Sequence, residues 1–237
     1  MDELLKAIDD GVIPHSLIEE KCLKVLRYKY ILGLNHYSAI PLKNLNEDLN
    51  TRQTQLLIQE LYAAAITILK DTKEILPLKM LEQRTIATVA VGKNDETPFQ
   101  KMLGNYASVE PISLTGKMPT AKQSEIISQL DKYNTIIVSI HSGKKADITL
   151  ARRICQNRNT ILVFFTSPYQ IKGYQEVIKK SQAVILAYED NVTAQEYAAQ
   201  ILFGGYGAQG KLPVNINNLF TLGKGTETQA TRLGYTL

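Results

Sequence analysis

The chain has 237 residues, of which 44% are hydrophobic and 21% are charged, a composition typical of a soluble globular protein. Its net charge of +4 is spread along the chain without a block of like charges, which argues against a nucleic-acid partner. No apolar run approaches the roughly 20 residues of a membrane span, and the opening Met1-Asp2-Glu3 does not resemble a signal peptide.

Cysteine and histidine give no indication of a metal or cofactor. Cys22 and Cys155 lie in apolar helical patterns, where a free cysteine behaves as a small buried hydrophobe, and nothing in the sequence supports a disulfide between them. His15, His36 and His141 are scattered, without the spacing of metal ligands. We therefore expect no metal and no cofactor.

The N-terminal part of the chain has helical periodicity. Residues 2–33 predict two helices, the second opened by the capping-box pair Ser16 and Glu19. Residues 35–50 are rich in asparagine and predict an irregular linker. A third helix is predicted from about Thr51 to Leu69.

After residue 78, short β-rich runs alternate with amphipathic segments. The predicted strands are Thr85–Val91, Ser108–Ile112, Thr135–His141, Thr160–Thr166 and Ala183–Tyr188. The predicted helices lie near Pro98–Tyr106, Ser124–Tyr133, Ile148–Asn157, Tyr169–Lys180 and Thr193–Phe203. Such alternation predicts an α/β fold with a mostly parallel sheet covered by helices on both faces.

The end of the chain has its own pattern. A helix that ends in Phe203 is followed by a glycine stop at Gly204 and then by a glycine-rich loop. The segment Leu212–Ile216 reads as a short strand, and Pro213, which cannot donate to a ladder, places it at an edge. The sequence thus predicts about six strands, with the last one antiparallel at the edge, and an N-terminal helical linker segment.

Several segments, in order, resemble the C-terminal α/β domain of family 3 glycoside hydrolases. They are Asp10–Pro14, Ala65–Lys70 with Ile75–Leu78, Asn159–Val163 with Ser167–Tyr169, Ala187–Asn191 with Ala194-Gln195, and Ala198–Gly204 with Gly210–Val214. The Ala187–Asn191 segment is similar to the version in the β-N-acetylhexosaminidase-like branch. No single motif decides the match, but the ordered set covers nearly the whole chain.

The resemblance implies that this chain is a fragment of a longer enzyme. Residues 1–50 would be the helical linker that leaves a (β/α)8 barrel domain, and residues 51–237 would be the α/β sandwich domain. The linker helices would pack on the barrel or on the sandwich domain. The ending Arg232–Thr236 resembles a junction to a following β-lactamase-like domain. The implied location of the parent is the periplasm or cell envelope.

The resemblance also implies that the catalytic residues lie outside this chain. In the family the nucleophile is an aspartate of the barrel, and in the hexosaminidase-like branch a histidine–aspartate pair on a barrel loop is the acid/base. A glutamate of the C-terminal domain serves in the glucosidase-like branch, but its glycine-rich loop would fall at Asn191–Gln195, where this chain has no glycine. We expect a parent that hydrolyses terminal β-linked N-acetylhexosamine with retention, and a chain that is inactive alone.

The candidate carbohydrate-binding residues follow the strands, because ligands bind outside the carboxyl ends of the strands in open α/β sheets. They are His141, Ser142, Ser167, Glu189 and Asp190. Their carboxylates, hydroxyls and imidazole could bond sugar hydroxyls.

Other interpretations of these residues stay open. Glu189 and Asp190 could simply begin the next helix, where acids favour the dipole. His141 with Ser142 could be a nucleophile–base pair, although no orienting acid is identifiable, or only a polar strand end. The chain could accordingly be a stand-alone flavodoxin-like binding or interaction module, or a complete small hydrolase.

Overall fold

The computed structural model describes residues 2–156 and 158–235. The chain divides into two compact units, Met1–Thr51 and Arg52–Leu237, here called unit 1 and unit 2. Within the described ranges, no helix is both long and apolar enough to cross a membrane.

Unit 1 is helical. Its helices are α1 (Asp2–Asp9), α2 (His15–Ile31) and α3 (Leu45–Leu49). The capping box predicted at Ser16 is wrong, because Pro14 is the N-cap of α2 and no side chain caps this end. The linker predicted as irregular contains α3, and Cys22 is exposed rather than buried.

Unit 2 carries the sheet. Its elements in chain order are α4 (Arg52–Ala65), β1 (Thr67–Asp71), β2 (Ile86–Val91), α5 (Pro98–Gly104), β3 (Val109–Leu114), α6 (Thr120–Gln129), β4 (Thr135–Ile140), α7 (Lys145–Ile154), β5 (Thr160–Phe164), α8 (Gln175–Lys180), β6 (Ala183–Leu186) and α9 (Val192–Phe203). The five strands and five helices predicted after residue 78 are confirmed, although the first half of the helix predicted at Tyr169–Lys180 is a 3-10 helix, Pro168–Tyr174. The helix end predicted at Asn157 lies outside the described residues.

The described residues form a six-stranded sheet in the order β1-β6-β5-β4-β2-β3. Strands β2 to β6 pair in parallel, and β1 pairs antiparallel with β6. The predicted fold class, an α/β protein with a mostly parallel six-stranded sheet between helices, is therefore confirmed.

The antiparallel edge strand is β1, and not Leu212–Ile216 as predicted. The Ile216 backbone N–H bonds the carbonyl of Phe220 only four residues away, so this segment closes a local turn instead of joining the sheet. Thr226 contacts the outer edge of β1, where its backbone N–H donates to the carbonyl of Ile68.

The helix predicted from Thr51 to Leu69 is wrong at its C-terminal end, where the structure has strand β1. Helix α4 ends at Ala65, and the chain is extended from Thr67 because Ile66, Ile68 and Leu69 are fully buried. A short apolar run does not distinguish a buried strand from the end of a helix by periodicity. Pairing with β6 decides the outcome here.

The central strands are buried on both faces, as expected for a parallel sheet. In β4, Val138 and Ile140 face a core that helices α6, α7 and α8 complete, whereas Ile137 faces the core built with α5 and α9. Strand β3 is the other edge, and Pro111 is tolerated there because an edge strand has free ladder positions.

Two helix ends follow the chemistry that their sequences predict. Thr97 caps α5 by accepting the N–H of Gln100, and the Gln100 side chain accepts the N–H of Thr97 in return. Helix α9 ends at Gly204, whose φ of 83° lies in the left-handed region that favours glycine.

Replacing Gly204 by alanine should destabilise the fold by roughly 2 to 4 kcal/mol, the sum of left-handed backbone strain and overpacking. The new Cβ would lie 2.9 Å from Cβ of Pro77 and closer still to Oγ1 of Thr231. Urea unfolding followed by circular dichroism measures the loss. Gly104→Ala is the matched control, since nothing lies within 4 Å of its Cβ position. Equal stability of the two variants would contradict the left-handed, closely packed position of Gly204.

Candidate functional site

The strand order places a crevice at one edge of the sheet. From β2 the chain first crosses to β3 on one side and then to β4 on the other, so the loops after β2 and β4 diverge. Such a switch point, outside the carboxyl ends of the strands, is where ligands bind in doubly wound folds, including the flavodoxin-like order that β2 to β6 adopt.

His141 follows β4 directly and its side chain is completely buried. Its Nδ1 lies 2.8 Å from Oδ1 of Asp190, and its Nε2 lies 3.0 Å from Oγ of Ser139. The ring stacks on Phe165 with centroids 4.9 Å apart. Because an ionised carboxylate can only accept, Nδ1 carries the proton, and Nε2 accepts from the Ser139 hydroxyl.

Asp190 joins three loops. Its carboxylate accepts from His141 after β4, forms an ion pair with Nζ of Lys93 after β2 at 2.7 Å, and accepts from Nε2 of Gln195 in α9 at 2.7 Å. The side chain is 26% exposed. Asp190 thus ties the carboxyl ends of β2, β4 and β6 together.

The pKa values of the pair shift downward for different reasons. Burial lowers the pKa of His141 and outweighs the opposing effect of Asp190, so the ring is neutral. Burial raises the pKa of Asp190, but the hydrogen bonds from His141 and Lys93 outweigh it and hold that pKa below its usual range. The buried arrangement is a neutral imidazole beside an ionised carboxylate.

Ser139, His141 and Asp190 are connected in the order of a hydrolase triad, but they do not form a usable one. Ser139 lies within β4 and is fully buried, so its hydroxyl cannot reach a substrate. A nucleophile must be presented to the reacting carbon as well as bonded to its base. This geometry is a structural hydrogen-bond chain and does not support the interpretation of the chain as a complete small hydrolase.

The other predicted site residues take separate places. Ser142 Oγ accepts the Lys144 N–H and its carbonyl accepts from the Tyr174 hydroxyl, so it is not the partner of His141. Ser167 is exposed at the end of β5. Glu189 accepts from the Tyr62 hydroxyl of α4 at 2.5 Å and from the Asn191 side-chain amide at 3.0 Å.

The alternative in which Glu189 and Asp190 begin the next helix is wrong. Helix α9 begins at Val192, and Asn191 is the residue that caps it, by accepting the N–H of Ala194 at 2.9 Å. The structure therefore brings His141 and Asp190 together, 49 residues apart in sequence, whereas Glu189 bonds other partners.

Sequence reasoning missed Lys93, Gln195 and Ser139 as partners of the predicted residues. The sequence places Lys93 at the end of a strand at the same edge, but it does not pair Lys93 with Asp190. Nothing local marks Ser139, because it lies within the apolar run Ile136–Ile140. Within the described part of the chain, His, Cys, Asp and Glu side chains form no group of three that could hold a metal ion.

No protein-family model and no curated protein sequence matches this chain. Solved structures do match it. A family 3 β-N-acetylglucosaminidase from Paenibacillus sp. str. FPU-7 aligns with 91% of the chain at 17% identity and a TM-score of 0.59. A fungal multi-domain family 3 β-N-acetylglucosaminidase aligns with 91% of the chain at 17% identity and a TM-score of 0.60. A Listeria innocua β-glucosidase aligns with 88% of the chain at 17% identity and a TM-score of 0.57.

The chain has the fold of one part of these enzymes. It spans 42% of the Paenibacillus chain, 25% of the fungal chain and 34% of the Listeria chain. The expected likeness to family 3 glycoside hydrolases is confirmed at the level of the fold, over nearly the whole of this chain and a minor part of theirs.

Replacing Asp190 by alanine should cost about 1.5 to 3 kcal/mol of folding free energy, because buried donors of His141 and Gln195 lose their acceptor. Urea unfolding at pH 7.5 measures the loss. The control is Glu227→Ala, which removes an exposed ion pair with Lys211 and should leave the midpoint unchanged. Equal midpoints for the two variants would refute the bridging role of Asp190.

His141 makes stability depend on pH in a defined direction. Its pKa is lower in the folded state, so the unfolded chain binds the extra proton, and stability is lost as the pH falls below the unfolded value of about 6.5. His141→Gln should therefore lose less stability than wild type between pH 7.5 and 5.5. The exposed control His36→Gln should keep the wild-type difference in urea midpoint, and a His141→Gln difference equal to wild type would contradict the prediction.

Proposed function

We propose that this chain is the C-terminal α/β part of a family 3 glycosidase whose full-length form hydrolyses terminal β-N-acetylhexosaminides with retention. The observation that carries the proposal is the fold, which matches 91% of this chain to a minor part of two enzymes named as β-N-acetylglucosaminidases. The ordered motifs that resemble the family support the same choice, and Ala187–Asn191 is the segment that is similar to the hexosaminidase-like branch.

The strand-end residues support a role without catalysis. Where retaining hydrolysis uses two carboxyl groups, they lie roughly 5 to 5.5 Å apart and flank the scissile bond. Asp190 is engaged by His141, Lys93 and Gln195, whereas Glu189 accepts from Tyr62 on another helix. These two carboxylates are held by partners on different elements and do not form a pair around a substrate.

The proposed partner is a (β/α)8 barrel domain in the same parent chain, which would hold the nucleophile. Unit 2 would support that barrel and present the loops near His141, Ser142, Ser167, Glu189 and Asp190 toward the sugar. Residues 1–50 would be the linker from the barrel, and a β-lactamase-like domain would follow. The parent would act in the periplasm or cell envelope.

The purified chain should not hydrolyse 4-nitrophenyl N-acetyl-β-glucosaminide above the rate without protein. The reason is that the nucleophile of the proposed parent would lie on the barrel domain, outside this chain. Release of 4-nitrophenol over hours is the measurement. Turnover that Glu189→Ala abolishes, while Glu227→Ala retains it, would contradict the proposal.

The reading frame upstream of the Met1 codon provides an independent test of the parent. A stretch of roughly 250 residues with barrel periodicity and a histidine-bearing loop would support the proposed origin. A natural start at Met1 would overturn it and leave a fold resemblance only.

A further inference from the structure

A cavity of about 660 Å³ opens at the switch point between β2 and β4, within the size range of small-molecule sites. Its walls come from the segments after β2, β3, β4 and β5 and from the start of α7. The lining residues are Gly92, Asn94, Thr115, Lys117, His141, Ser142, Gly143, Lys144, Ala146, Asp147 and Gln170. The cavity is distinct from Glu189 and Ser167, which do not line it.

Close contacts between neighbouring loops shape this cavity. A Cβ on Gly92, which has a φ of 96°, would lie 2.9 Å from Cβ of Ser142 in the next loop. A Cβ on Gly116 would overlap Ala146 at the start of α7, so the loop after β3 also lies against its neighbour. His141, which lines the cavity, is held in place by Asp190, and Asp190 is in turn paired with Lys93. The walls are therefore preformed.

The charges around the cavity do not cancel. Lys117 and Lys144 line it, and neither forms an ion pair with any described residue. Lys93 is neutralised by Asp190. The one acid of the lining, Asp147, is 5% exposed, accepts the Gly116 N–H at 2.7 Å and lies in the first turn of α7, where the helix dipole offsets its charge.

We propose that this cavity binds a small hydroxyl-bearing oxyanion, of the class of sugar phosphates and sugar carboxylates. The ammonium groups of Lys117 and Lys144 would attract the anionic group, and the side-chain amides of Asn94 and Gln170 would bond the hydroxyls. The two lysines line the cavity from different loops, so an anion bound there would lie near two charges that form no ion pair with a described residue. This inference does not depend on the proposed glycosidase origin.

Titration of the ¹⁵N-labelled chain tests the proposal, with glucose 6-phosphate, glucuronate and glucose as probes. Either anionic sugar should shift the backbone amide signals of Gly92, Gly116 and Gly143 in a saturable manner, and neutral glucose should not. Tighter binding of glucose 6-phosphate would assign a phosphate ligand, and tighter binding of glucuronate a carboxylate. Absence of saturable shifts with both anions up to about 10 mM would overturn the proposal.

Charge reversal separates this site from general attraction to a basic surface. Lys117→Glu and Lys144→Glu should each weaken binding of the tighter-binding anionic sugar at least about tenfold. Lys101→Glu, on the exposed face of α5, should change its affinity by less than about twofold. All three lysines are exposed, so the thermal midpoints should agree. Equal weakening by Lys101→Glu would refute the site.

Discussion

The central parallel strands of unit 2 are covered by helices on both faces, and this double burial constrains everything else. Polar groups that act on a ligand cannot lie within such a sheet, so they lie where the strands end. Even Ser139, a polar residue inside β4, is used inward as a hydrogen-bond partner of His141. The chemistry of the chain is concentrated at one edge for that reason.

At that edge one carboxylate has an organising role. Asp190 accepts from groups that follow β2 and β4 and from a side chain of α9, and burial makes these hydrogen bonds costly to lose. The imidazole between Asp190 and Ser139 looks like part of a catalytic triad only in its connectivity. Because its serine is fully buried, the chain of bonds stabilises the loops instead of reacting.

The distinction between fold and function is clear in this molecule. Its fold is that of part of family 3 glycosidases, yet the described strand-end carboxylates are held by partners on different elements. Function depends on the site and not on the fold that carries it. The proposed supporting role and the proposed oxyanion site use the same edge of the sheet, where His141 and Ser142 line the cavity and Glu189 does not.

The sequence by itself determined much of the sheet and its coverings. The β-rich runs, the alternation with amphipathic segments, the Thr97-Pro98 helix start and the Gly204 stop all follow from local physical preferences. They locate β2 to β6 and the helices between them. They also place His141 and Asp190 at the same edge, since the carboxyl ends of parallel strands meet there.

Only the tertiary structure decided which of these residues meet. The contact of His141 with Asp190 and Ser139 instead of Ser142 depends on strand order and side-chain direction, which periodicity does not encode. Strand β1 could not be predicted for a related reason. A short apolar run after a helix fits either a strand or the end of the helix, and the hydrogen bonds to β6 make it a strand. Pairing of β1 with the distant strand β6, and not local propensity, stabilises the extended conformation of this segment.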